Sequence, residues 1–151
     1  MATATLNEAA ATDKSAILAL LEGMSRAHYN KDAAAIEAVY MQGAAIFNLA
    51  PPLTHHGINR QEKQAWLDSW DGPVEIESRD FDVTVSGDFA FCHGFMRMEG
   101  KKKGADRRVN FWMRETLCLH REGPGWKIVH EHTSVPFYMD DSVRPAFDLK
   151  P

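Results

Sequence analysis

Near the end of the chain, the stretch WKIVHEHTSVPF (residues 126–137) places His130 and His132 on either side of Glu131. Imidazoles titrate close to neutral pH and serve as general acids, general bases or metal ligands. Alternate residues of a strand share a face. His130 and His132 would then point together, and Glu131 away from them. A second ionisable group, Glu115, sits inside the apolar row Val109, Phe111, Met113, Leu117 and Leu119. A buried carboxyl costs several kcal/mol unless it is paired, so its presence there needs a partner. His93, in FAFCHGF, is a third imidazole on a strand-like stretch. His-x-His with a nearby carboxylate, and His93 as a further nitrogen, is also a conceivable metal set. H-E-x-x-H, G-x-S-x-G and Gly-rich phosphate loops are absent, which argues against the corresponding protease, hydrolase and nucleotide chemistries. His55-His56-Gly57 reads as a solvated loop.

Those side chains are positioned by a chain of 151 residues, 44% hydrophobic and 25% charged, which suits one soluble domain with a sizeable core. A net charge of −4 gives no basic footprint for nucleic acid. No apolar run approaches the roughly 20 residues needed to cross a membrane, and the N-terminus has no secretory pattern. Cys92 and Cys118 lack C-x-x-C spacing and read as reduced cysteines of a cytoplasmic protein.

The first half has helical periodicity. Ile17, Leu20, Leu21, Met24 and Ala27 form one apolar stripe from about Asp13 to Tyr29. Asp32 caps a second helix, AAAIEAVY, and Asn59 with Glu62 opens a third that carries Trp66, Leu67 and Trp70. The second half alternates as strands. Its phase slips between Ile76 and Phe81, which predicts a bulge near residues 78–80. The order is helix, helix, short strand, helix, then four antiparallel strands, an α+β arrangement with helices over one face of a bent sheet.

Register then decides which side chains meet. A hairpin turn built on EGPG places Leu119 opposite Ile128, Leu117 opposite His130 and Glu115 opposite His132. A turn one residue longer would face Glu115 with Glu131, and like charges opposed across strands are unfavourable. A hairpin symmetric about Lys103 adds His93, with Phe91 and Phe95, to the same face. The expected site is therefore an apolar concave face holding His93, Glu115, His130 and His132, with Glu131 outside.

The segments NKDAAAIEAVY, AIFNLAPPL, SGDFAF and GWKIVHEHTSVPF together resemble the SnoaL-like, ketosteroid-isomerase-like proteins of the nuclear transport factor 2 superfamily. RETLCLHREGPGWKIVHEHTS is also similar to the association domain of calcium/calmodulin-dependent kinase. The resemblance implies a cone-shaped α+β barrel, three N-terminal helices over its concave face, a small-molecule pocket and a homodimer packed through the sheets. It places Asn48 where ketosteroid isomerases carry a catalytic aspartate, Met24 where they carry an oxyanion-hole tyrosine, and Glu115 nearest to their oxyanion-hole acid. Asn48 cannot take a proton at neutral pH and Met24 cannot donate one, so steroid isomerisation by that route is not expected.

The resulting expectations are specific. Residues 1–12 form a flexible start, residues 13–137 the domain and residues 138–151 a tail. His132 acts as base or acid, and Glu115 orients it or donates to an oxyanion. His93, His130, Asn48, Met24 and Trp66 contact an apolar, carbonyl-containing ligand. The chemistry is cofactor-independent proton transfer of the isomerase, cyclase or dehydratase type, with no metal, no nucleic acid and no membrane. Trp112 and Arg114, on the outer sheet face, suit a homodimer interface. The alternative is a non-catalytic ligand-binding or dimeric assembly module.

Overall fold

The computed structural model describes residues 2–151. Helix α1 spans Ala2–Tyr29, starting before Asp13, and buries Ile17, Leu21 and Ala27 from its apolar stripe. The Asp32 carboxylate caps α2 (Ala33–Ala38) by accepting from Ala35 N–H at 2.9 Å, and the Asn59 side chain caps α3 (Arg60–Asp68) through Glu62 N–H at 3.1 Å. Each cap satisfies one of the orphan donors of a helix start. Trp70 lies beyond α3. It opens β3 and is buried, so the third helix ends earlier than its sequence pattern implies.

The strands are β1 (Tyr40–Phe47), β2 (His55–His56), β3 (Trp70–Ser86), β4 (Phe89–Lys102), β5 (Arg108–Glu122) and β6 (Gly125–Ser134). They form one six-stranded sheet in the order β2-β1-β6-β5-β4-β3. Its last four strands are an antiparallel meander, but β1 pairs with β6 in parallel. The sheet is thus mixed and open, where an antiparallel barrel was expected. The meander brings its final strand back beside β1, running the same way. His55 and His56 form the short edge strand against Ile46 and Ala45, not a free loop.

The bulge expected in β3 is present. The register with β4 slips between Arg79 and Asp82, and Asp80 takes φ 54°. Helices cover one face of the sheet and divide its core into two clusters. One joins Ile17 and Leu21 to Val83, Cys92, Leu117, Leu119 and Ile128. The other joins Ala27, Ala33 and Ile36 to Leu67, Trp70 and Val74. Tyr40 packs against both.

The β4–β5 hairpin corrects the placement of His93. Met96 faces Met113 and Lys101 faces Arg108, so the connection is longer than a turn symmetric about Lys103. That change of parity puts Ala90, Cys92 and Gly94 under the helices, with Phe91, His93 and Phe95 on the outer face. Packing explains the choice. A Cβ on Gly94 would lie 2.6 Å from the Phe81 ring and 2.9 Å from Arg79 O, and one on Gly100 would lie 2.8 Å from the Trp70 ring. The inner row of β4 needs glycine at both points, and only this register supplies it. Cys92 and Cys118 are free and lie on opposite faces. Among the described residues no helix is long and apolar enough to cross a membrane.

Candidate acid–base site

The β5 row follows its sequence pattern. Met113, Leu117 and Leu119 are buried beneath the helices, and Glu115 among them is only 4% exposed. The β5–β6 hairpin also begins as expected, with Leu119 opposite Ile128. Between Leu119 and Cys118 the register then slips, and Cys118 pairs with His130. Val129 is the extra residue of a β-bulge, and past it every side chain of β6 changes face. Glu131 faces Leu117 and Thr133 faces Glu115, both buried. His130 pairs with Cys118 and His132 with Thr116 on the outer face, where His132 is exposed.

The expected Glu115–His132 contact is therefore not formed, and the concave face holds neither His93, His130 nor His132. Outside, Phe47 packs edge-on against His130 and His132, with ring centroids 5.0 Å and 5.7 Å apart. The His130 ring Nδ1 lies 2.8 Å from Ala45 O. Among the described residues no three His, Cys, Asp or Glu side chains gather in a metal-ligating arrangement.

What the helices cover instead is a pair of carboxyls. Glu115 and Glu131 are diagonal neighbours on adjacent strands, roughly 7 Å apart by strand geometry. The Tyr40 hydroxyl donates a short hydrogen bond to Glu131 Oε2. Tyr40 opens β1 and pairs with Ile128 just before the bulge, which is how its side chain reaches Glu131. Burial raises the pKa of both carboxyls. For Glu131 the rise is opposed by the Tyr40 hydrogen bond, then by the charges of Lys63 and His130. Glu115 has no such support. Burial, followed by the negative charge of Glu131, pushes it to about 8. The two carboxyls titrate as a pair, in which Tyr40, Lys63 and His130 favour the charged form of Glu131 and nothing favours that of Glu115. Burial, then the charge and hydrogen bond of Glu131, keep the Tyr40 phenol far above its ordinary value and hence a donor.

Two further groups border this layer. His28 on α1 is buried, and its Nδ1 lies 2.8 Å from Met24 O. Burial and the Lys63 charge lower its pKa to about 4, so the ring is neutral, with Nδ1–H donating and Nε2 free to accept. Lys63 on α3 shares an inward stripe with Trp66 and Leu67, and its ammonium lies 4.6 Å from the Trp66 ring centre. Trp66 packs edge-on against Trp70 with centroids 5.4 Å apart. Met24 of α1 packs, partly buried, against the first core cluster and Trp66 of α3 against the second. Asn48 packs against neither. It is exposed past the end of β1, where its side chain accepts from Ala50 N–H at 3.1 Å.

Tyr40, Lys63, His28 and the inward face of Glu131 escape a reading of local pattern. Lys63 alone leaves a local trace, its three- and four-residue spacing to Trp66 and Leu67 on one helix face.

An α+β sheet with three helices on one face is the fold of the nuclear transport factor 2-like class of proteins. Within that class the chain belongs to the SnoaL-like domain family, whose model matches residues 17–138. An NTF2-like protein of unknown function from Pseudomonas putida KT2440 is similar at 28% identity and a TM-score of 0.78, over 93% of this chain and 97% of its own. A protein from Novosphingobium aromaticivorans DSM 12444, provisionally named a scytalone dehydratase, matches at 14% identity and a TM-score of 0.73, over 97% and 95% of the two chains. A provisionally named ketosteroid isomerase from Shewanella frigidimarina NCIMB 400 matches at 18% identity and a TM-score of 0.60, over 76% and 91%. These last two likenesses establish the fold alone. No curated protein matches the chain in sequence.

Proposed function

We propose that the protein binds a small apolar compound carrying a carbonyl or hydroxyl oxygen and transfers a proton on it without a cofactor. The observation that carries this reading is the buried carboxyl pair in which Glu131 alone has a hydroxyl donor, Tyr40, and nearby positive charge to favour its ionised form. Environments that separate two titrating groups assign one as acid and the other as base. Glu115, protonated at neutral pH, donates to the ligand oxygen. Glu131, ionised and fixed by Tyr40, accepts a proton from carbon or from a leaving hydroxyl. Isomerisation, cyclisation and dehydration all reduce to these two transfers. The base role that sequence register gives to His132 passes to Glu131, because His132 lies outside the covered face.

Native mass spectrometry of protein purified from its own host identifies the ligand. With that compound, Glu131→Gln lowers turnover by about 100-fold or more, the usual size of a general-base contribution, while His132→Gln leaves it within a factor of about two. The reverse order would return the base to β6's outer face.

A second reading concerns assembly. Phe47, Phe89 and Phe91, exposed by 40%, 61% and 43%, stand on the outer face with His93 and His132. An aromatic patch poor in charge fits a homodimer interface, and Arg114 and Trp112 border it.

A further inference from the structure

Lys63 has no part in the proton transfer described above. Three other lysines that approach the protein interior each donate to an oxygen: Lys31 to Trp70 O, Lys102 to Ser69 Oγ and Lys127 to Ala38 O. The Lys63 ammonium makes no hydrogen bond, and no ion pair within 4 Å, among the described residues. It lies instead against the Trp66 face, on the stripe of α3 that turns inward, within electrostatic reach of Glu131 and of neutral His28. A lysine desolvated by burial and left without a hydrogen-bonding anion loses its proton more readily than an exposed one and can act as a nucleophile, while the Trp66 face beside it pulls toward the charged form. Burial lowers its pKa, against the opposing pull of Glu131.

We propose that Lys63 forms a covalent imine with an aldehyde or ketone bound against the Glu115–Glu131 pair. This rests on the reading that the ligand carries a carbonyl group. The neutral amine attacks the carbonyl carbon and an N–C bond forms. The carbonyl π pair moves to oxygen, which takes the Glu115 proton. The nitrogen, now positive, gives one proton to Glu131, leaving a neutral carbinolamine. Its hydroxyl takes that proton back from Glu131 and departs as water while the nitrogen lone pair closes the C=N bond. The iminium returns its last proton to Glu115. The sum is amine plus carbonyl to imine plus water, with both carboxyls restored. Imine formation would make the pocket an electron sink for carbanion chemistry on the ligand.

The test uses the full chain, cinnamaldehyde with cyanoborohydride, and acetophenone as a reversible ketone probe followed by Trp fluorescence. Peptide mass spectrometry should find the reduced adduct on Lys63 at least about tenfold faster than on exposed lysines. Lys63→Arg keeps the positive charge beside Glu131. It should retain acetophenone binding and lose the fast adduct. Labelling of the wild type spread evenly over surface lysines, with acetophenone still bound, would overturn the imine and leave the proton-transfer pocket standing. Even labelling with no acetophenone bound would overturn both.

Discussion

Replacing Glu115 by Gln keeps the side-chain volume and fixes the neutral state that burial imposes. In the wild type the folded pKa is raised from 4.5 to about 8. The folded chain therefore binds more protons than the unfolded one between those values. Stability from this group is full below its unfolded pKa and is lost as pH rises through the folded one. Integrating the two titrations gives a loss of at most about 4 kcal/mol between about pH 5 and pH 9, reduced by any relaxation that admits water. Glu131, also raised, contributes in the same direction. Glu115→Gln lacks the first contribution. Urea unfolding of both proteins at several pH values should show the variant equal to or weaker than wild type in acid, and stronger by a few kcal/mol near pH 9. A stability difference constant across that range would mean that Glu115 is ionised throughout, and the acid assigned to the site would not exist.

Tyr40→Phe removes the donor to buried Glu131 and should destabilise the fold by about 1–3 kcal/mol. It raises the Glu131 pKa further, so the penalty should grow with pH; denaturant melts showing a penalty that shrinks with pH would contradict the hydrogen bond. The outer aromatic patch should hold a homodimer at micromolar concentration, and Phe91→Asp should give monomer by sedimentation velocity with the fold intact by circular dichroism; a wild type that sediments only as monomer would reject the interface.

Much of this arrangement was legible in sequence where the determinants are local. Asp32 and Asn59 marked helix starts through their own side chains. The change of phase around Asp80 marked the β3 bulge, and the apolar row of β5 marked Glu115 as buried. The hairpin was read correctly as far as Ile128. It failed at Val129, because nothing about a valine in a strand signals an extra residue. The bulge is selected by distant contacts, namely Tyr40 reaching Glu131 and Ala45 meeting His130. The electrostatic argument against bringing Glu115 near Glu131 also assumed two negative charges. Burial removes that obstacle by retaining a proton. Likewise the two glycines of β4 become informative only once Phe81 and Trp70 are known to press on them.

The bulge at Val129 has a consequence for how this strand can change. Side chains on β6 are read in a frame of two, and one inserted residue selects which frame faces the ligand. With Val129 present, the sequence His-Glu-His offers its acid inward. Were Val129 drawn into regular pairing opposite Cys118 while the hairpin turn kept its register, the same three letters would offer two imidazoles inward and the acid to solvent. The interior would gain groups that titrate near neutrality and bind metals. Loss of this one bulge, altering none of the residues that do the chemistry, would thus convert a carboxyl site into an imidazole one. Site chemistry on such a strand drifts by slippage of the backbone as well as by substitution.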